Sequence, residues 1–490
     1  MKGKRNNQCS KNLKLNFIWQ VCIEITNMLL PLVTSPILAR RLGAEAIGTY
    51  SYVYSVSYYF TIIALLGMFT YGTREIALVR DDKDQLNERF SELLFAQIFV
   101  GLIVLVLYVI YSLFLSKYPS LFLIQTISLI GSSLFLINWL FAGLEEFQVI
   151  ALKTMIIRAV GVVLIVSFVN TSADLPIYFI IMACEPLMGA LVYICLARDK
   201  VKIVKVDTIK SLKHIKGMLL LFIPVLTTYL YSSMDKVMLG QISTMAQLGY
   251  YENATKALIA KNLATALSTV LVPRMSSLFG RNDKEQFNNL LGKSLDLVFL
   301  LTIAFGFGTA AVSSIFSVVF WGINFSECST LILVMSLTIP AYGLTYVINN
   351  QYLVPTKREN VYITATILGV IINFILNYVM IPRYAAVGAA NATLVTQYFV
   401  LLIEAVLIRD ELSIGRCVLK NSPYLIFGGI MIMTIKKLDV YLSYTVLNLM
   451  LEVVIGAVVF ATMTILFWII TKQNQYLDLF RKLFKKIKKN

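Results

Sequence analysis

Apolar residues in this chain fall into long unbroken runs separated by short polar connections, not into the alternation of half-buried strands. A helix needs about 20 mostly apolar residues to cross a bilayer. Runs of that length lie near 15–39, 46–68, 90–115, 119–142, 150–170 and 176–197, and again near 216–240, 248–273, 291–312, 327–350, 359–381 and 386–408. Two more, near 421–436 and 444–470, bring the expected total to about fourteen transmembrane helices. Continuous runs exclude the alternating signature of a membrane barrel. The pattern therefore predicts an all-α integral membrane protein.

Two halves of the chain read alike. Asn138-Trp-Leu-Phe-Ala-Gly-Leu-Glu-Glu-Phe147 aligns with Asn350-Gln-Tyr-Leu-Val-Pro-Thr-Lys-Arg-Glu359: an aromatic-rich helix end, a small or turn residue, then charge. Leu42-Gly43 followed by Gly48-Thr-Tyr50 matches Leu239-Gly240 followed by Gly249-Tyr-Tyr251, with Pro31 and Pro224 in the preceding helices. The shared order predicts two pseudo-repeated six-helix lobes plus two C-terminal helices. The expected organisation is a basic leader (1–14), an N-lobe (15–197), a linker (198–215), a C-lobe (216–408), the last two spans (409–470) and a basic tail (471–490). Repeated lobes with substrate between them are one of the transporter architectures.

Composition and charge refine this picture. The chain has 490 residues, 58% hydrophobic and only 14% charged, against about 25% charged in ordinary soluble proteins. A water-soluble enzyme is excluded on that ground. The 43 Lys and Arg against 27 Asp and Glu leave a net charge of +16, which taken alone would suit a nucleic-acid partner. Their placement removes that reading. With an even span count, 33 basic residues lie on the side of the two termini and six on the opposite side, so both termini are expected in the cytoplasm. The leader is read as preceding an uncleaved first span, because the run from about Leu15 to Ala39 is too long for a signal-peptide core. The tail Tyr476–Lys489 places Leu477, Phe480, Leu483, Phe484 and Ile487 on one face, a basic amphipathic helix suited to anionic membrane lipids. Six cysteines without a CxxC pair, and a lone His214, leave structural zinc and a Cys/His nucleophile unsupported. No metal or organic cofactor is expected.

Ionisable and amide side chains inside spans are costly and face the bundle interior by default. Span 1 carries Gln20, Glu24, Asn27 and Pro31 on one helical face; span 7 carries Pro224, Thr228, Tyr231 and Asp235 at the same rhythm. Such stripes suit either a shared polar cavity or interhelical hydrogen bonding. Arg40 and Arg41 close span 1, Lys236 closes span 7, and Lys256 lies about two turns into span 8, with Lys261 and Arg158 as further candidates. A cationic cavity favours an anionic substrate such as a phosphate or pyrophosphate. The alternative for Arg40, Arg41 and Lys236 is that they extend to the membrane interface.

The chain resembles the Wzx-like polysaccharide-transporter flippases of the multidrug/oligosaccharidyl-lipid/polysaccharide exporter superfamily. The resemblance rests on Arg40-Arg-Leu-Gly43 with Gly48-Thr-Tyr50, Tyr71-Gly-Thr-Arg-Glu75, the Asn138 segment, Asp235-Lys-Val-Met-Leu-Gly240, Gly249-Tyr-Tyr-Glu-Asn-Ala-Thr-Lys256, Pro273-Arg274 and Gln351-Tyr-Leu-Val-Pro355. It implies translocation of an undecaprenyl-pyrophosphate-linked oligosaccharide across the bacterial plasma membrane for surface polysaccharide assembly. Two repeated lobes suggest alternating access as the mechanism, and polysaccharide polymerase machinery is the expected partner. By that resemblance Arg40 and Lys256 would contact the pyrophosphate; their place at the span ends makes Lys236 and Arg41 further candidates for it. On the reading of the polar stripes, Glu24, Asn27, Asp235 and Tyr231 would line the cavity, with Asp235 or Glu24 coupling to H⁺ or Na⁺. The rivals are a cation-coupled multidrug exporter, which would need a carboxylate-dominated cavity, and a membrane polymerase or glycosyltransferase. The short external loops speak against a polymerase, and cytoplasmic segments too short for a folded domain speak against a glycosyltransferase.

Overall fold

The computed structural model describes residues 2–472; within them, the side chains of 2–18, 20–22, 24, 25, 28, 224, 260 and 263–270 are outside the description. Gln20, Glu24, Pro224 and the amphipathic tail beyond 472 therefore lie outside the described residues. Every regular element among those described is helical. Nine helices are long and apolar enough to cross a membrane, and two bent pairs, Thr208–Ile223 with Val225–Ile242 and Ile414–Asn421 with Pro423–Asp439, pass the same test together. The protein is an all-α, multi-pass membrane protein.

Packing divides the chain into two compact units, Met1–Glu252 and Asn253–Asn490. The first holds α1 (Lys2–Leu65), α2 (Met68–Val79), α3 (Lys83–Phe114), α4 (Pro119–Leu129), α5 (Asn138–Gly143), α6 (Phe147–Phe168), α7 (Leu175–Ala197), α8 (Thr208–Ile242) and most of α9 (Met245–Lys256). The second holds α10 (Lys261–Gly280), α11 (Lys284–Ala311), α12 (Ser313–Trp321), α13 (Cys328–Ser336), α14 (Ile339–Val347), α15 (Glu359–Leu407), α16 (Ile414–Asn421), α17 (Pro423–Asp439) and α18 (Val446–Ile470). The division falls inside α9, not in the expected linker 198–215. The reason is that α8 packs along α1 and α3. Its start is held by His214, whose Nδ1 hydrogen-bonds the Tyr71 hydroxyl at 2.8 Å and whose Nε2 lies 3.1 Å from Glu92. Gly217 lets the Tyr71 ring approach so closely that an added Cβ would sit 2.4 Å from it.

Two predicted spans are joined in α1 and two in α15. Each long helix breaks where a turn was expected, at Gly43 (φ 80°) and at Ala385 (φ 47°). Other expected spans are broken. The fourth runs as α4, a π-helical segment Ile130–Leu134, an irregular step and then α5. The cause is Gln97 of α3, whose Nε2 donates to the carbonyls of Ser133 (2.8 Å) and Leu136 (3.2 Å) and draws them out of the helical ladder. Its Oε1 accepts from the Trp139 indole at 2.8 Å. The eighth predicted span is interrupted by a 3₁₀ turn at Leu258–Ala260 between α9 and α10. The expected external connection at 313–326 is itself helical, forming α12.

The internal repeat appears as matching local devices in each unit. A second π-helical segment, Ile348–Leu353, follows α14. Glu145 and Lys357 both adopt the left-handed conformation, at φ 61° and 57°. The following N–H closes the same long turn in each case: Glu146 to the Phe141 carbonyl (2.8 Å) and Arg358 to the Leu353 carbonyl (2.9 Å). These pairs share the register that aligns Asn138 with Asn350. The N-caps of α3 and α11 also match, Asp82-Lys-Asp-Gln85 with Asp283-Lys-Glu-Gln286. The backbone N–H groups of Gln85 and Asp84 hold the exposed Asp82 carboxyl below its usual range.

The family-like motif residues interlock on the face where α2, α3 and α5 meet. Gly72 leaves room for the Trp139 ring, which an added Cβ would meet at 2.9 Å, and Gly143 seats on Ile76. Arg89 pairs with Glu75 and lies 3.6 Å from Glu92. Tyr71–Glu75 and Asn138–Glu145 are thus parts of one clasp.

Candidate functional site

The polar groups of the first unit gather along α1, α6, α7, α8 and α9. Asn27 on α1 accepts from Arg158 on α6, and the Arg158 Nε lies 3.2 Å from Glu185 on α7. Three spans thereby contribute one hydrogen-bonded cluster. A charge placed in a membrane bundle is tolerated when an opposite charge and further donors meet it, and this cluster meets that condition. Lys153, one turn and a half before Arg158, lies 4.7 Å above the Tyr193 ring.

A second cluster joins α1, α8 and α9. Lys236 Nζ lies 2.8 Å from Glu252, and the Ser51 hydroxyl donates to the same carboxylate at 2.9 Å. Asp235 accepts from the Tyr251 hydroxyl at 2.7 Å. The contact is possible because the α1 and α9 backbones nearly touch. A Cβ on Gly48 would lie 1.7 Å from the Met245 carbonyl oxygen, and one on Gly249 would lie 1.9 Å from that of Ala44. Gly240 similarly admits the Tyr52 ring. Of the glycines that carried the repeat signal, Gly48, Gly240 and Gly249 are points at which these helices meet.

Between the clusters runs a row of tyrosines. Tyr50 and Tyr54 stack with centroids 5.7 Å apart and planes 20° apart; Tyr54 and Tyr58 repeat this at 5.8 Å and 24°. Tyr229 of α8 continues the row, 4.6 Å from Tyr58, while Tyr178 of α7 closes its other end, 4.6 Å from Tyr50. Positions four apart lie on one helix face about 6 Å apart along the axis.

The candidate residues distribute as follows. Asn27, Asp235 and Lys236 sit in these two clusters. Tyr231 is half-buried one turn before Asp235, and Arg40 is exposed at the end of the first predicted span. Arg41 serves another purpose: its Nη1 donates to the carbonyls of Val166 (2.6 Å) and Val169 (2.8 Å), capping the C-terminus of α6. Lys236 carries a compensating carboxylate, that of Glu252. Lys256 belongs to the second unit, where its Nζ donates to Asn253 at 3.1 Å, and Lys261 lies 5.5 Å above the Tyr342 ring. Sequence reasoning passed over Glu185, Glu252 and the tyrosine row. The row was written in the spacing of Tyr50, Tyr54 and Tyr58. No group of three or more His, Cys, Asp or Glu side chains among the described residues is arranged to hold a metal.

Comparison with known proteins bears on this arrangement. The profile of a family described as polysaccharide biosynthesis protein matches residues 13–279. A protein of Escherichia coli (strain K12), provisionally named an O-antigen transporter, is 25% identical over 417 residues, covering 82% of this chain and 97% of its own length. The capsular polysaccharide biosynthesis protein CapF of Staphylococcus aureus is 20% identical over 409 residues, covering 80% and 97%. Among solved structures, the lipid II flippase MurJ in an inward closed conformation superposes with a TM-score of 0.73 at 18% identity, over 92% of this chain and 99% of that one. An inward-facing MATE multidrug transporter of the MOP superfamily gives 0.58 at 13% identity, over 86% and 99%. At these identities the structural likeness speaks to fold.

Proposed function

Because the chain belongs to the polysaccharide biosynthesis protein family, we propose that it is a flippase that carries a lipid-linked oligosaccharide across the bacterial plasma membrane. The substrate is an undecaprenyl-pyrophosphate-linked repeat unit destined for a surface polysaccharide, and both termini face the cytoplasm. The observation that carries this reading is the polar lining of the first unit, where hydroxyl, amide and paired charged groups of five helices gather inside an otherwise apolar bundle. Ionisable groups inside a membrane bundle are costly, and their concentration in one unit supports a transport role. The names of the relatives and the MOP-type fold agree with it.

In this reading the sugar headgroup crosses through the polar interior while the prenyl chain stays in lipid, by alternating access. Arg40 and Lys256 neutralise the pyrophosphate, since an extended basic side chain matches its oxygens. Asp235 or Glu24 carries any coupling to H⁺ or Na⁺. No covalent chemistry on the substrate is proposed, so the protein acts as a transporter and not as an enzyme, and polysaccharide polymerase machinery acts on its product.

Deleting the gene and following the lipid-linked oligosaccharide pool tests the proposal. Repeat units should accumulate on the inner leaflet, and a plasmid copy should clear them. An unchanged pool together with increased sensitivity to organic cations would replace this reading with the multidrug-exporter one.

A further inference from the structure

We propose that Tyr50, Tyr54, Tyr58 and Tyr229 form a stacking track for the sugar rings of the transported headgroup. This rests on the flippase reading above and names the part of the site that holds the glycan, as distinct from its pyrophosphate.

The exposure pattern of α1 sets the track apart from both core and lipid-facing surface. From Ser51 to Tyr58 only Tyr54 and Tyr58 are open, at 40% and 36%, while Tyr52, Val53, Ser55, Val56 and Ser57 are buried. Protein therefore covers this stretch everywhere except along the tyrosine edge. The lipid-type surface of the same unit looks different: from Phe95 to Phe114 of α3 the open large side chains are Phe, Leu, Ile and Val, none of which carries a hydroxyl or other polar group. An interfacial aromatic belt is also a poor description. The row extends over two helical turns of α1 and on to α8, whereas a belt occupies one depth. It also adjoins Ser51, whose hydroxyl donates to the Glu252 carboxylate at 2.9 Å, a charged group that a hydrocarbon-facing surface would not keep beside it.

The chemistry on either side selects the ligand class. Arg158 is paired with Glu185 and Lys236 with Glu252. The walls beside the row therefore carry compensated charge and are ill suited to a pyrophosphate. Carboxylates and amides, which accept hydrogen bonds from hydroxyl groups, suit a neutral molecule rich in such donors. The electron-rich faces of aromatic rings attract the electropositive C–H face of a pyranose by the same quadrupole that governs aromatic pairs. Repetition of rings about 6 Å apart offers successive sugars equivalent platforms, so a headgroup can advance ring by ring. Stacking also tolerates different sugars better than directed hydrogen bonds do.

The test compares wild type with Tyr54→Ala/Tyr58→Ala, Tyr54→Leu/Tyr58→Leu and Tyr54→Phe/Tyr58→Phe. Leu retains apolar bulk without a ring, which keeps the experiment informative should the Ala pair fold poorly; melting temperature monitors folding throughout. The probe is the soluble oligosaccharide released by mild acid from lipid-linked oligosaccharides of the source bacterium, titrated calorimetrically into the full-length protein in detergent. Inorganic pyrophosphate is titrated in parallel. The Ala and Leu pairs should lose about tenfold or more in oligosaccharide affinity, the Phe pair should recover most of that loss, and pyrophosphate affinity should fall by less than threefold. Absence of oligosaccharide binding to wild type, undiminished binding to the Ala and Leu pairs, or an equal loss for pyrophosphate would overturn the track. Translocation of the intact lipid by wild-type proteoliposomes is scored separately. Ring-dependent binding without translocation refutes the flippase reading and leaves the track standing; translocation with ring-independent binding does the reverse.

Discussion

Replacing Gly48 by alanine inserts one methyl group where α1 and α9 cross. Its Cβ would lie 1.7 Å from the Met245 carbonyl oxygen and 2.9 Å from the Gly249 nitrogen. Both are backbone atoms, so no side chain can rotate away. Restoring ordinary van der Waals separation requires the helices to part by roughly 1.5–2 Å, at a cost of about 1–3 kcal/mol for overpacking. Gly249→Ala meets the Ala44 carbonyl oxygen at 1.9 Å and should cost a similar amount. Once one methyl has separated the helices, the second needs little further movement. The double variant should therefore lose clearly less than the sum of the two, a coupling expected of residues in contact. Gly161, with nothing within 4 Å of its Cβ position, is the control. As a helix-interior glycine it should gain about 0.5–1 kcal/mol on change to alanine. Thermal unfolding in one detergent compares these four variants with wild type. Gly48→Ala melting at or above the wild-type temperature would refute the reasoning, and so would strict additivity of the pair.

Three further outcomes follow from single side chains. Arg41→Ala removes the two hydrogen bonds that cap α6 and should cost about 1.5–3 kcal/mol; because Arg41 is placed as a cap, flux per folded molecule should hold while melting temperature falls. Gln97→Leu leaves the Trp139 indole and the carbonyls of Ser133 and Leu136 without their partner and should destabilise by roughly 3–5 kcal/mol, seen as a large loss of melting temperature; a fall under about 1 kcal/mol would show that the π-helical segment does not depend on this residue. Glu411, in the connection after α15, accepts from Tyr352 and Arg358, which hold its carboxyl below the usual range. A depressed folded-state value contributes stability above the unfolded pKa that is lost as pH falls through the folded one, so Glu411→Gln should flatten the acid side of a melting-temperature profile, and an unaltered profile would show the pair to be idle.

The all-helical, multi-pass membrane class was legible because bilayer thickness imposes a length that local composition reports. So was the repeat register: Asn138 with Asn350 places the left-handed Glu145 on Lys357. The helix breaks were less visible. The one before Trp139 is caused by a glutamine from another helix, and no local pattern encodes where that side chain arrives. The matching N-caps at Asp82 and Asp283 were readable as Asp-Lys-acid-Gln and went unused. Among site residues, the cations were found by their cost in a membrane, but their partners were not. Whether Lys236 faces a ligand or Glu252 depends on how α8 meets α9, and Arg41 looked like Arg40 until α6 ended beside it. The tyrosines stayed hidden because aromatic residues are at home in any span; only their exposure in an otherwise covered stretch of α1 distinguishes them.

The central claim is that this protein moves a lipid-linked glycan between leaflets. Proteoliposomes loaded with the undecaprenyl-pyrophosphate-linked oligosaccharide of the source bacterium, probed with a membrane-impermeant glycosidase, measure that directly. The account predicts that glycan confined to the inner leaflet becomes accessible far faster than in protein-free vesicles. Glycan that stays protected in vesicles that nevertheless expel an organic cation would contradict it.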